Sequence, residues 1–126
     1  MFQAASPLQV SRSDEGAIVR LALCGELDMS SAGSLELELQ TIEARSPAVL
    51  VLDLAQLRFM GVAGLRSILN AARRARREGR HFVVTNPLPH ISRLFELTAI
   101  DQSLELGRSP LFAIVGGAAG AAPATA

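Results

Sequence analysis

The stretch AVLVLDLAQLRFMGVAGLRSIL, from Ala48 to Leu69, joins an apolar segment to a helical pattern through two glycines. Its first seven residues, AVLVLDL, are almost wholly apolar, which predicts a central strand buried on both faces. After the turn, apolar residues recur at helical spacing. They predict a helix whose core-facing residues are Val62, Leu65, Ile68, Leu69 and Ala72. We expect this helix to end at Gly79, since glycine commonly follows a helix.

The first 27 residues predict a hairpin. Leu8 and Val10 lead into it, and SDEG at 13–16 has the composition of a turn. The second strand is IVRLAL at 18–23, and we expect Gly25 to end it.

A helix is expected from about Ser31, with Asp28 and Ser30 as candidate N-caps. Its length follows from the next proline, because proline disfavours helix in the residue before it and Pro47 follows Ser46. One face of this helix is apolar and consists of Ala32, Leu35, Leu39 and Ile42.

The C-terminal half continues the alternation of strands and helices. HFVVT at 81–85 predicts a strand, and NPLP at 86–89 begins a short helix. A weak strand at 103–106 and a short helix from Ser109 complete the predicted elements. Residues from 116 onward predict a flexible tail of glycine, alanine and proline. The short helix that begins at NPLP is predicted to carry the apolar residues Ile91, Leu94 and Phe95.

Strand, helix, strand, helix, strand is the pattern of an α/β fold with right-handed βαβ crossovers. The hairpin would add an antiparallel strand at one edge, which makes the sheet mixed. Functional residues in such sheets gather at the carboxyl ends of the strands. That rule places the turn at 59–64 and the GELD turn at 25–28 where a site is expected.

Composition limits the function classes. The 126 residues suit one domain, and 49% hydrophobic with 19% charged residues indicates a globular chain. Twelve basic and twelve acidic residues cancel, so global charge favours neither nucleic acid nor membrane. We see no signal peptide and no run of about 18 or more large apolar residues. The expected location is the cytoplasm, which suits the lone Cys24.

The glycine turn GVAG lacks the residues of a phosphate-binding loop, since no Gly-Lys-Ser/Thr follows it. On its chemistry alone, the favoured interpretation is that Gly61 caps the helix and Gly64 permits close packing.

Other candidate sites favour ordinary roles. His81 and His90 have no metal-ligand spacing, and we predict no metal, no cofactor, no catalytic residue and no enzyme activity. The arginines between Arg73 and Arg80 favour a solvated face over nucleic acid. Cys24 is interpreted as a small strand residue, with an intermolecular disulfide left open.

Five segments in order carry a family resemblance: LALCGELD (21–28), VLVLDLAQLRFM (49–60), GLRSIL (64–69), EGRHFVVTNP (78–87) and HISRLFELTAID (90–101). With this order and spacing, the chain resembles the STAS domain of bacterial anti-sigma factor antagonists. The resemblance covers roughly residues 8–115, with 1–7 as an N-terminal extension and 116–126 as the tail. It implies a STAS fold, a mixed four- or five-stranded sheet with helices packed against it.

The resemblance also implies a switch at the glycine turn. In the family this segment commonly reads F-x-D-S-S-G-L, and its second serine is phosphorylated by a partner that is both anti-sigma factor and ATP-dependent kinase. Here Gly61 stands at the Asp position, Val62 at the first Ser, and Ala63 at the phosphoacceptor. A methyl group cannot accept a phosphoryl group. We therefore expect binding without phosphoryl control, with Ser67 left open as a substitute acceptor.

The expected partner is an anti-sigma factor with a histidine-kinase-like ATPase domain, and a homodimer is left open. The alternative is a STAS module that senses an anionic nucleotide or lipid, or serves as a subunit of a transporter or stress complex. The predicted partner-binding residues are Asp28, Met60, Gly61, Val62, Ala63, Gly64, Arg66 and Ser67.

Overall fold

The computed structural model describes residues 8–101 and 112–116. The described elements are, in chain order, β1 (Gln9–Glu15), β2 (Ile18–Leu27), α1 (Met29–Glu43), β3 (Val49–Met60), α2 (Val62–Arg77), β4 (His81–Thr85), α3 (Pro89–Asp101) and β5 (Phe112–Val115). Their strands form one five-stranded sheet in the order β1-β2-β3-β4-β5. β1 is antiparallel to β2, and all other neighbours are parallel. The mixed α/β sheet with an N-terminal edge hairpin is confirmed.

β3 is the central strand, as predicted, but it is longer than AVLVLDL. Leu50, Val51 and Leu52 are buried in succession, so both faces of the strand are covered. The strand continues to Met60 because Leu57 and Met60 are also buried and stay paired with β2. This extension carries the sheet directly to the glycine turn.

The prediction that Gly25 ends β2 is wrong, since the strand runs to Leu27. Gly25 has a φ of 107°, and the pairing with β3 shifts register between it and Glu26. Glycine tolerates this conformation, so the chain follows the bulge and pairing resumes with Glu26 opposite Phe59. The hairpin turn also differs from SDEG, because β1 extends to Glu15 and the turn lies at 16–17.

The helix predictions hold with two corrections. α1 begins at Met29 rather than Ser31, and its four predicted core residues are buried. α2 ends before Gly79, which has a φ of 73° as expected of a residue after a helix. Val62 is not a core residue, since 70% of it is exposed. It occupies the first helical position, at the carboxyl edge of the sheet.

The C-terminal predictions have mixed outcomes. β4 has the predicted bounds, and Ile91 and Phe95 of α3 are buried. The predicted strand at 103–106 lies outside the described residues, as do residues 1–7 and 117–126. The helix predicted from Ser109 is wrong at 112–115, where FAIV pairs in parallel with β4. Phe, Ile and Val favour a strand, and β4 provides the partner with which this segment pairs.

Arg74 joins α1 to α2. Its Nε and Nη2 lie 2.9 Å from the two carboxylate oxygens of Glu43, and Nη2 also lies 3.1 Å from Glu36 Oε2. The hydrogen bonds to Glu43 raise the pKa of the guanidinium, although partial burial opposes them. The expectation of a solvated arginine face is therefore wrong for Arg74. It is also wrong for Arg80, which lies beyond the helix, is 6% exposed and pairs with Glu78 at 2.7 Å.

Gly64 sets the distance between α2 and β2. A Cβ on Gly64 would overlap Leu27, with its Cδ2 2.7 Å away and its backbone oxygen 3.1 Å away. Leu27 is fully buried, so it has no room to move aside. The glycine predicted to permit close packing does so here.

Gly64→Ala is expected to lower the free energy of unfolding by about 1–3 kcal/mol, because the added methyl group overpacks the core at Leu27. Gly33→Ala is the matched control. Gly33 also lies in a helix, but a Cβ there meets nothing within 4 Å. That control should gain about 0.5–1 kcal/mol from helix propensity. Urea unfolding followed by circular dichroism measures both, and equal gains in the two variants would contradict the close-packing role.

Candidate functional site

The last pairing of β2 with β3 brings two helix starts together. Leu27 pairs with Met60, and the backbone N–H of Gly61 then donates to the Leu27 carbonyl at 2.8 Å. Asp28 and Gly61 follow these strands directly and are the N-caps of α1 and α2. A Cβ on Gly61 would lie 3.9 Å from the Asp28 Cα. The GELD segment, which is the end of β2 followed by the Asp28 cap, and the glycine turn thus form one surface at the position where the sequence predicts a site.

Asp28 caps α1 through its side chain. Its Oδ1 accepts hydrogen bonds from the Ser30 backbone N–H at 3.0 Å and the Ser30 hydroxyl at 2.7 Å. In return, the Asp28 N–H donates to Ser31 Oγ at 3.0 Å, which completes a capping box. The hydrogen bond from the Ser30 hydroxyl is the main cause that holds the pKa of Asp28 below its ordinary value. The Asp28 carboxylate is therefore engaged with its own helix.

Gly61 caps α2 without any side-chain hydrogen bond. Its φ of −89° and ψ of −179° are extended backbone that any residue can adopt. A Cβ there would lie 3.5 Å from Cε2 of Phe59, which is ordinary van der Waals contact. The turn therefore has room for the Cβ of a larger residue at this position.

The predicted site residues divide between an exposed surface and its support. Val62 and Arg66 are exposed, and Ala63 and Ser67 are half-buried one helical turn apart on α2. Met60 and Gly64 are buried beneath them and hold the turn in place.

Two exposed apolar residues at this surface were not among the predicted site residues. Met29 is 84% exposed at the first position of α1, and Phe59 is 47% exposed. The exposure of Met29 could have been predicted from its position directly after a candidate N-cap, since the first residue of a helix at the edge of a sheet faces solvent. Phe59 matched the family motif, but its exposure depends on the length of β3. Together with Val62 they make the surface apolar.

A cleft of about 380 Å³ begins at this surface and follows α2 toward α3. Its apolar residues are Val62, Leu65 and Leu69 of α2 and Leu94 of α3, and its polar residues are Arg66, Asn70 and Arg73.

The remaining candidate residues have local partners or stand apart. A ring nitrogen of His90, Nε2, lies 2.8 Å from the Arg58 carbonyl oxygen. Cys24 is a free, half-buried cysteine on β2. Asp53 Oδ1 accepts from the Ala55 N–H at 3.0 Å, a local contact within β3. Within residues 8–101 and 112–116, no group of His, Cys, Asp or Glu could hold a metal ion. In the same part of the chain, no helix is long and apolar enough to span a membrane.

A family model described as "Mlab, STAS domain" matches residues 9–108. The chain belongs to the STAS domain family. Its fold agrees with that membership, and the glycine turn lies at the exposed start of α2.

The relatives of this STAS domain include anti-sigma factor antagonists. Over 65 residues it is 31% identical to the anti-sigma-F factor antagonist RsfB of Mycobacterium tuberculosis, a match that covers 52% of this chain and 53% of RsfB. The chain thus spans about half the length of the curated relative it matches. An anti-sigma factor antagonist from Mycobacterium paratuberculosis superposes with a TM-score of 0.70 at 27% identity, over 81% of this chain and 86% of that one.

The same fold occurs in a more distant protein. The Bacillus cell fate determinant SpoIIAA in its phosphorylated form has a TM-score of 0.64 and 19% identity, with 85% of this chain and 89% of that chain covered. At this identity the likeness concerns the fold alone.

Asp28 is expected to make the STAS domain sensitive to acid. Because its pKa is lowered in the folded state, its stabilising effect is present above the unfolded pKa near 3.8 and is lost as pH falls through the folded value. Asp28→Asn keeps an oxygen acceptor but no charge, so it should remove this part of the pH dependence. Asp28→Ala loses the acceptor and should also be less stable at neutral pH. Urea unfolding between about pH 2 and pH 7 tests both. A constant difference between wild type and Asp28→Asn would contradict the assignment.

Gly61→Asp is expected to stabilise the domain by roughly a few tenths of a kcal/mol, since it supplies the side-chain cap that α2 lacks. The extended backbone of Gly61 accepts a side chain without strain. Gly61→Ala provides the control, because it adds a Cβ without a hydrogen-bond acceptor. Thermal unfolding by differential scanning calorimetry compares the two variants. If Gly61→Asp is less stable than Gly61→Ala, the turn does not have the room described.

Proposed function

We propose that this STAS domain is a regulatory binding protein of the anti-sigma factor antagonist type. It engages an anti-sigma factor and thereby releases a sigma factor, without phosphorylation control at the glycine turn. The observation that carries the proposal is Ala63 in the first turn of α2, half-buried beside the exposed Val62, in a chain whose relatives are anti-sigma factor antagonists. The chain acts by binding rather than by catalysis.

The chemistry of the turn supports constitutive binding. A phosphoryl group at this position would add about −1.5 to −2 charges beside an apolar surface. The methyl group of Ala63 has no oxygen to accept it, so the surface stays neutral in the presence of a kinase and ATP. The absence of Asp at position 61 removes a second carboxylate that a partner could contact. Recognition then depends on shape and apolar contact more than on charge.

The proposed contact surface is centred on the start of α2. Val62, Ala63, Arg66 and Ser67 supply its α2 side, with Asp28 adjacent across the turn. The apolar side chains of Phe59 and Met29 extend it toward α1. Gly61, Met60 and Gly64 shape the backbone beneath this surface. The partner would be an anti-sigma factor with a histidine-kinase-like ATPase domain, met in the cytoplasm.

A second candidate function is supported by the cap of α2. The N-cap Gly61 supplies no side-chain hydrogen bond to the backbone N–H groups of the first turn of α2, and a helix start favours negative charge. A nucleotide or an anionic lipid head group would then be the ligand, in a sensor or a subunit of a transporter or stress complex. Thermal-shift measurements with GTP, ATP and anionic lipid discriminate, and no shift at about millimolar ligand excludes it.

The proposed function is tested first by capture. The tagged chain is used to recover partners from native cells, and a sigma-regulating protein with a kinase-like domain is the expected result. A transporter subunit would favour the second candidate instead.

Phosphorylation of the captured complex provides the sharper test. With labelled ATP, wild type should remain unlabelled at the turn and stay bound. The variant Gly61→Asp/Val62→Ser/Ala63→Ser restores the family motif and should become labelled and dissociate. The same variant with Ala63 retained, Gly61→Asp/Val62→Ser, controls for the flanking changes. Labelling of wild type with loss of the complex would overturn constitutive binding.

A further inference from the structure

Leu37 is an unusually exposed leucine on α1. It is 68% exposed, and the residues one turn before it, Gly33 and Ser34, are small and exposed as well. Its side chain therefore projects from a smooth part of the helix. Glu38 follows it and makes no hydrogen bond or ion pair among the described residues, whereas Glu36 is engaged with Arg74. A single exposed leucine means little by itself.

The cleft between α2 and α3 has the complementary character. Its floor is formed by Leu65, Leu69 and Leu94, and no acidic residue lines it among those that the structure describes. Arg66 borders the floor, is exposed, and has no ion pair among the described residues. An apolar floor beside a cation without a partner suits an aliphatic side chain that is followed by a carboxylate.

We propose that Leu37 of one copy inserts into this cleft of a second copy, where Glu38 meets Arg66. The charges at the two surfaces are opposite. Glu38, half-buried, follows the exposed Leu37 on α1, and the exposed Arg66 borders the buried floor residue Leu65 on α2. The chain has 12 basic and 12 acidic residues, so no net charge opposes the approach of two copies.

The burial of the cleft favours a second copy over a small apolar ligand. Leu65 is 8% exposed and Leu69 6% exposed, so the floor itself gains little when it is covered. Leu37 has far more apolar surface to remove from water. The free energy of burying it is gained only when a second copy, which carries Leu37, occupies the cleft.

The contact joins two different surfaces, so it is head-to-tail unless two copies make it reciprocally. Val62 and Arg66 belong both to the cleft and to the proposed partner surface. A copy in the cleft therefore covers part of that surface, and self-association competes with partner binding. This consequence rests on the proposed function. Self-association would then regulate partner binding through the concentration of the chain itself, in a protein that has no phosphoacceptor at position 63.

Sedimentation equilibrium of the full chain tests the contact, from about 10 μM to about 1 mM because small interfaces are weak. The weight-average mass should rise with concentration. Leu37→Ser should lower the association constant by about tenfold. Glu38→Arg and Arg66→Glu should each lower it by about three- to tenfold, and combining them should restore it. Arg20→Glu, a charge reversal at an exposed position of β2 away from the cleft, is the control and should leave the constant unchanged.

The outcomes separate the possibilities. A chain that stays monomeric at every concentration overturns the proposal. So does association that Leu37→Ser leaves intact or that the Glu38→Arg/Arg66→Glu pair does not restore. Decanoate serves as a probe for the other occupant: NMR shifts of cleft residues with decanoate, but not with protein concentration, would assign a small-molecule site and overturn the proposal. Circular dichroism melts confirm that each variant is folded.

Partner capture distinguishes this proposal from the proposed function. Leu37→Ser should lose self-association and recover at least as much anti-sigma factor as wild type, because Leu37 lies outside the partner surface. Self-association without any captured partner would count against the proposed function alone.

Discussion

The parallel pairing of β2 with β3 up to its last hydrogen bond is the constraint on which the site depends. The bond from the Gly61 N–H to the Leu27 carbonyl, 2.8 Å long, closes the ladder where both strands end. Because both strands run in the same direction and end together, the two helix starts that follow them are adjacent. If the pairing ended earlier, Asp28 and Gly61 would cap two separate helices. The site is thus a consequence of strand length.

Glycine at three positions makes this arrangement possible, each for a different reason. Gly25 adopts a positive φ and lets β2 continue past an irregular register. Gly64 has no side chain, so α2 packs directly on Leu27. Gly61 needs neither property, since its backbone is extended and a Cβ would fit. Its glycine is therefore compatible with a change in function at the turn, while the other two glycines are required by the fold.

Much of the fold was predictable because its signals are local. The apolar run of β3 and the helical spacing in α2 reflect periodicities that hold for any strand or helix. The sequence predictions failed at residues that are compatible with two different local structures. Val62 fits the apolar stripe of α2 but lies past the edge of the sheet, and Gly25 suggests a strand end but accompanies a bulge. FAIV at 112–115 became a strand because β4 offers it a partner, which no local pattern reveals.

The sequence by itself determined the family resemblance and the identity of Ala63, a residue without a hydroxyl, at the position that the resemblance compares with a phosphoacceptor, since these depend only on the order of residues. It also offered Asp28 as one of two candidate caps beside Ser30, and the capping box that distinguishes Asp28 is a local contact between residues three apart. Only the tertiary structure decided which apolar residues remain exposed, that the two turns form one surface, and that a cleft with a positive rim adjoins it. Those properties arise from contacts between segments far apart in the chain, and no local pattern specifies the distance at which such segments meet.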